Sequence, residues 1–146
     1  MLAKSDSSQI DELIFTAVFS ENEEEKTKAR GSIRELAQKQ GVKSSSIYNY
    51  YMAIGLGKVP TGSTVPAINV RALTYDTARI IFRLMIGKQI GPVIFEIAKS
   101  EIEYTAQRPD EYSVAVLAAA IKEGYKGPVF LQGDHFQFSQ KGYSED

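Results

Sequence analysis

Two segments of the chain echo each other: GPVIFE, beginning at Gly91, and GPVFLQ, beginning at Gly127, thirty-six residues on. Each is a short apolar run rich in β-branched and aromatic residues, bounded by turn-forming glycine. The interval is long enough for a strand, a crossover helix and a return, so it predicts a βαβ unit with parallel strands. The runs are continuously apolar rather than alternating, as strands covered on both faces are. VPAINV, from Val65 to Val70, reads as an earlier strand of the same kind, with Pro66 near its start, where a missing N–H is tolerated.

Helical periodicity fills the gaps. YDTARIIFRLMIGK places Ala78, Ile81, Phe82 and Met85 on one face, with Thr74 as its cap. Pro109 suits a first helical turn, and DEYSVAVLAAAIKEG runs from it to a stop at Gly124. Upstream, Ile10, Leu13, Ile14, Ala17 and Val18 share a helix face, and Ile33, Leu36 and Ala37 continue an apolar stripe that Gly41 ends. Ser44 to Ser46 are predicted to cap a third helix bearing Ile47, Tyr50, Tyr51 and Ile54. GLGKVPTGST reads as a linker. The expected organisation is an all-helical leader over 1–58 and an α/β domain over 59–146.

Composition narrows the partners. The 146 residues carry 17 basic and 18 acidic side chains, a net charge of −1, so no global field recruits nucleic acid or an anionic membrane. Without cysteine there are no disulfides or thiolate metal sites, which suits the cytoplasm. No run approaches the roughly 20 residues of a membrane span, and MLAKSDSSQ has no apolar segment of signal-peptide type.

In parallel α/β folds, ligands bind at the carboxyl ends of the strands. Asn69 follows the first strand, Glu96, Lys99 and Ser100 the second, and Gln132, Asp134 and His135 the third. Three strands thus finish in polar groups on one expected rim. Imidazole is a ready metal ligand, and a neighbouring carboxylate can exchange a proton with a substrate hydroxyl. Adjacent strand-end residues are expected to point apart, which suits separate roles. No nucleophile elbow, phosphate loop or dinucleotide-binding glycine motif is present.

From about Thr64 to Gln137 the chain resembles the N-terminal strands of class II, metal-dependent fructose-bisphosphate and tagatose-bisphosphate aldolases. VPAINV is similar to that family's first strand, PVIFEIAKS to its second, and PVFLQGDH, with its Asp-His pair, to its third. The resemblance implies the N-terminal part of a (β/α)8 TIM barrel, about three parallel strands with crossover helices. It implies a lyase that cleaves a ketose 1,6-bisphosphate to dihydroxyacetone phosphate and an aldehyde. Asp134 would be the catalytic acid/base, His135 a ligand of Zn2+ or another divalent metal, and Asn69 and Ser100 substrate contacts. It further implies a cytoplasmic homo-oligomer acting on a small sugar bisphosphate, with no membrane or nucleic-acid partner. The sequence departs from the family where Gln132 replaces a histidine two positions before the aspartate, and where Ala98 aligns with a phosphate-holding serine. A whole barrel needs about 250 residues, and KGYSED adds no closing element, so an N-terminal fragment, inactive by itself, is expected.

Two alternatives attach to the same residues. LAQKQGVKSSSIYNY spaces Ala37, Gly41 and Ile47 as in a helix-turn-helix, with Ser44 to Ser46, Tyr48 and Asn49 opening a recognition helix and Lys39 and Lys43 near phosphates. A DNA-binding leader would then be fused to a ligand-sensing α/β domain. Alternatively, the chain is a non-catalytic aldolase-like subunit, for which Gln132 is the suggestive feature.

Overall fold

A computed structural model describes residues 4–62 and 64–137, so the KGYSED segment lies outside the described residues. In chain order the elements are α1 (Lys4–Phe19), α2 (Glu23–Lys39), β1 (Val42–Ser45), α3 (Tyr48–Gly55), β2 (Ala67–Asn69), α4 (Thr74–Lys88), β3 (Ile94–Ala98), α5 (Lys99–Thr105), α6 (Pro109–Glu123) and β4 (Gly127–Asp134). The four strands form one parallel sheet in the order β1-β4-β3-β2. The protein is a mixed α/β fold.

The three expected strands are present as β2, β3 and β4, side by side, with α4 and then α5 and α6 as their crossovers. α6 begins with Pro109, whose missing N–H costs nothing in the first turn, and ends at Gly124 in a left-handed conformation, φ +73°. α4 buries Ala78, Phe82 and Met85, one stripe of its amphipathic pattern. Asn22 caps α2 by accepting from the Glu24 and Glu25 amides, at 2.9 and 3.4 Å, and three glutamates in that first turn face the positive end of the helix dipole.

Two local expectations are corrected. The leader is not all-helical: Val42–Ser45 form β1, parallel to β4, with Val42 opposite Gly127 and Ser45 opposite Phe130. Three of its four residues are polar, so periodicity gives no signal. The strand exists because it lies beside β4 and Val42 is buried against the common core. A strand rather than a turn therefore separates α2 from α3, whose N-cap position is held by Ile47 rather than a serine; Ser46, one residue further out, accepts from the Tyr48 amide at 3.1 Å. Thr74 is likewise no cap. It is the first residue of α4 and donates its hydroxyl to Gln107 at 2.7 Å.

The sheet's two faces are unequal. Phe95, Ile97, Val129 and Leu131 face the main core, which gathers residues of α1, α2, α4 and α6. Ile10, Ile14, Ala17, Ala29, Ile33 and Ala37 of the leader belong to that same core, so one hydrophobic interior crosses the 58/59 division. Alternate strand residues Ile94 and Phe130 meet Ile47 and Tyr50 at α3 on the opposite face. Beyond this small patch, that second face carries polar side chains. Among the described residues, no helix is long and apolar enough to cross a membrane.

The centre of the core sets the largest single-residue effects. Phe82, 1% exposed, packs its ring 5.2 Å from Phe95 and 4.9 Å from Tyr125. Truncating such a residue removes its transfer free energy and leaves a cavity, so Phe82→Ala should lose about 3–5 kcal/mol in urea unfolding. A loss below about 1 kcal/mol would show that this aromatic cluster does not hold α4 on the sheet.

Ion pairs ring the same core. Glu123 at the end of α6 accepts from Arg79 at 2.7 Å and from Arg83 at 2.7 Å, both on α4. Burial opposes its charge, but these two donors outweigh it and hold the carboxyl below the ordinary range. A lowered folded value means the stabilisation is present above the unfolded carboxyl range and fades as pH falls through the folded one. Glu123→Gln should therefore melt lower than wild type at pH 7, and the gap should close toward pH 3. A gap that widened on acidification would contradict the assignment.

Candidate site at the carboxyl ends of the strands

Parallel register places three polar side chains in one row. Asn69 of β2 lies opposite Glu96 of β3, and Glu96 lies opposite Gln132 of β4. The side-chain period of two puts them on the same face as Ile94 and Phe130, and Asp134 follows two residues past Gln132. Four strand-end residues thus share the sheet's less covered face. All four fall where the strand spacing predicted a rim.

Hydrogen bonds tie the row together. Asn69 Nδ2 donates to Asp134 Oδ2 at 3.2 Å, spanning from β2 over β3 to β4. The same nitrogen lies 3.4 Å from Glu101 Oε2. Gln132 Nε2 donates to Glu96 Oε1 at 2.6 Å. Glu101, 3% exposed, also accepts from the Ala98 amide at 3.0 Å and from Arg71 Nε at 2.5 Å.

Environment separates the carboxyls. Burial pushes Glu96 above the ordinary carboxylate range, the nearby Asp134 charge adds to this, and the Gln132 amide partly offsets both. Burial also works against the charge on Glu101, but the Ala98 amide, Arg71 and Asn69 outweigh it and hold that carboxyl low. The same face thus carries one carboxyl held low, Glu101, and one pushed up, Glu96.

The remaining expected residues fare differently. His135 follows β4 in a left-handed conformation, φ +52°, which swings its ring back toward its neighbour: Nε2 lies 3.6 Å from Asp134 Oδ1, beyond hydrogen-bond length, and the side chain is 77% exposed. The two side chains stand together rather than apart, contrary to the simple alternation of a strand. The Phe136 ring packs over Gly133 so closely that a Cβ there would come within 2.7 Å of it and force the ring to shift. Ser100 lies exposed on the first turn of α5, and among the described residues no hydrogen bond joins it to the row. Lys99 reaches instead to the Gln137 carbonyl at 3.4 Å.

The sequence reading missed Glu101 and Arg71. Glu101 stands at the third position of α5, where a glutamate accepts from the amide preceding the helix, and Ala-x-x-Glu at a strand end was the available signal. The helix itself was hidden because seven residues give no measurable periodicity. A cavity of about 400 Å³ opens on the other side of Arg71, between Phe15, Phe19 and Leu73, but none of the four row residues lines it. A second cavity of about 410 Å³, beside Ile97, Leu131 and Phe136, has Gln132 in its wall, and Glu96 is buried.

For the metal expected from the resemblance, the donors are too few. Among the described residues, no group of three or more histidine, aspartate or glutamate side chains could hold a metal ion. His135 and Asp134 offer one imidazole and one carboxylate, short of the three protein ligands of a catalytic zinc.

The balance at Glu96 gives a direct test. Gln132→Leu removes the donor that favours the charged form, so Glu96 should titrate higher still, read by carbon NMR of its carboxyl. A downward move would mean that the Asp134 charge and burial do not control it. No family model, curated protein or solved structure matches the chain.

Proposed function

We propose that the row serves an aldolase-type lyase acting on a ketose bisphosphate, with Asp134 as its acid/base and Asn69 as a substrate contact. One observation carries the reading: the Asn69–Asp134 hydrogen bond at the carboxyl rim joins the two residues that the sequence resemblance assigns to proton transfer and substrate contact. β2, β3 and β4 lie side by side in chain order, as successive strands of a (β/α)8 barrel do, while β1 takes the edge of β4 where a next barrel strand would pair. The uncovered face carrying Glu96 and Gln132 is the side that would line its interior.

The chemistry needs a base poised over a hydroxyl. In cleavage, the Asp134 carboxylate takes the proton of the C4 hydroxyl as the C3–C4 bond breaks. The C4 oxygen becomes the aldehyde oxygen, and the electron pair of the broken bond passes to the ketone half as an enediolate. In condensation the same proton returns. Asn69 keeps Asp134 in place and presents its amide carbonyl to a substrate hydroxyl. A divalent metal at His135 would draw its other ligands from outside the described residues, and no step above depends on one.

The test is turnover in the whole protein that carries this sequence, measured as release of dihydroxyacetone phosphate from fructose 1,6-bisphosphate or tagatose 1,6-bisphosphate. Asp134→Asn preserves shape and hydrogen bonding but cannot carry the proton, so cleavage should fall about 10²–10⁴-fold. Undiminished turnover in that variant would remove Asp134 from the mechanism.

A further inference from the structure

We propose that Glu101 is a positioning residue, whose carboxylate fixes which edge of the Asn69 amide faces Asp134. The consequence for turnover rests on the acid/base role proposed above; the geometry does not.

An asparagine amide has two chemically opposite edges of nearly the same shape, and its hydrogen-bond partners decide which way it faces. Asn69 stands between two carboxylates, with Nδ2 at 3.4 Å from Glu101 and 3.2 Å from Asp134. An ionised carboxylate only accepts, so both neighbours demand the N–H2 edge. The carbonyl oxygen of Asn69 is then engaged by neither. A single acid would leave the choice to Asp134, the group whose charge must change during turnover. Glu101 makes it independent of that change.

Glu101 is held for this purpose from three sides. Its Oε2 also takes the Ala98 amide at 3.0 Å, its Oε1 takes Arg71 at 2.5 Å, and its backbone carbonyl accepts the Thr105 hydroxyl at 2.6 Å. A carboxylate only 3% exposed is costly to bury. Starting a seven-residue helix does not require one, since a neutral glutamine accepts from the same amide. The charge has a use only toward Arg71 and Asn69. Arg71, whose own side chain is 65% exposed, screens Glu101 from the solvent side without itself entering the row.

Glu101→Gln separates the two roles. It keeps the size and an acceptor for Ala98, but its amide can donate to the Asn69 carbonyl and so release the orientation. The measurement is the side-chain N–H2 pair of Asn69 in the whole protein labelled with 15N-asparagine, assigned by its loss in Asn69→Ser. We expect Asp134→Asn and Glu101→Gln each to displace this pair, and Arg71→Gln to displace it less in the direction of Glu101→Gln. Misorientation of a contacting group should also lower kcat about 10–100-fold while KM changes little. An Asn69 pair that moves in Asp134→Asn but coincides with wild type in Glu101→Gln would reduce Glu101 to a helix-starting residue and overturn the proposal. Should Glu101→Gln fail to fold, the exposed Arg71→Gln carries the test, and an unmoved Asn69 pair there overturns it equally. A displaced pair in protein that cleaves no ketose bisphosphate supports the positioning role and sinks the lyase reading instead.

Discussion

Helix α6 is buried almost all the way round, and the other layers are arranged by what can reach it. Tyr112 and the run Val114 to Ile121 are all buried, an uninterrupted apolar segment that no amphipathic surface helix would show. Its three consecutive alanines, Ala118 to Ala120, let α1, α2 and α4 approach on one side and the sheet on the other. Burying this helix supplies a large share of the driving force, at about 25 cal/mol per Å² of apolar surface. The polar ends of α6 then decide which neighbour goes where. Arg30 and Arg34 of α2 pair with Asp110, and Arg30 also with Glu111, at its start. Arg79 and Arg83 of α4 share Glu123 at its end, while Lys122 meets Asp11 of α1 at 2.6 Å. Arg30–Glu111 and Arg79–Glu123 are shielded on both sides, whereas Arg34–Asp110 is exposed and such a pair contributes about 0–1 kcal/mol; together they orient the neighbours around a helix whose burial carries the stability.

Because α6 anchors one face of the sheet so completely, the other face is free to carry polar side chains. Along β3 and β4, residues alternate between the main core and the polar row. The identities on the second face, Glu96, Gln132 and Asp134, are therefore not needed for packing against the helices. Three carboxylates in so small a space would repel one another if equally ionised. The structure avoids this by giving each a different neighbour: Arg71 and a backbone amide for Glu101, a glutamine for Glu96, and an asparagine for Asp134. Neutral amides donate to the last two without adding a compensating charge.

What the sequence made legible follows from how local each signal is. The βαβ spacing, Pro109, Gly124 and the stripe of Ala78, Phe82 and Met85 are short-range signals, and each corresponds to an observed element or boundary. β1 was not legible, since Val-Lys-Ser-Ser carries no strand pattern and pairs only because β4 lies beside it. The rim was legible as a place: Asn69 and Asp134, chosen from separate strands, are hydrogen-bonded. Its wiring was not. Glu101 sits thirty-two residues from Asn69 on a helix too short to announce itself, and the proximity of His135 to Asp134 depends on a left-handed φ that alternation does not foretell. Ser100, one position from Glu101, shows how fine the distinction is, because on a helix adjacent residues face about 100° apart.

The left-handed residues give this wiring a physical cost. Among the described residues, four that are not glycine adopt positive φ: Leu73, Gln89, Ala106 and His135. Gln89 closes the C-terminal end of α4, an ordinary place for that conformation. Ala106 likewise closes the C-terminal end of α5, while Leu73 precedes α4 and His135 follows β4. Each costs about 1–2 kcal/mol that a glycine would avoid. Leu73 lies two residues from Arg71 and His135 one from Asp134, so the strained turns directly set the direction of the chain at the groups around Asn69. Strain of this size persists only where surrounding contacts over-determine the backbone. Here the contacts are the buried ones of Glu101 and Val70 and the packing of Phe136 over Gly133. Elsewhere the left-handed positions Gly41, Gly57 and Gly124 are filled by glycine, which takes them without this cost. Of the four non-glycine residues, two end helices, and Leu73 and His135 adjoin the chain that carries Arg71 and Asp134.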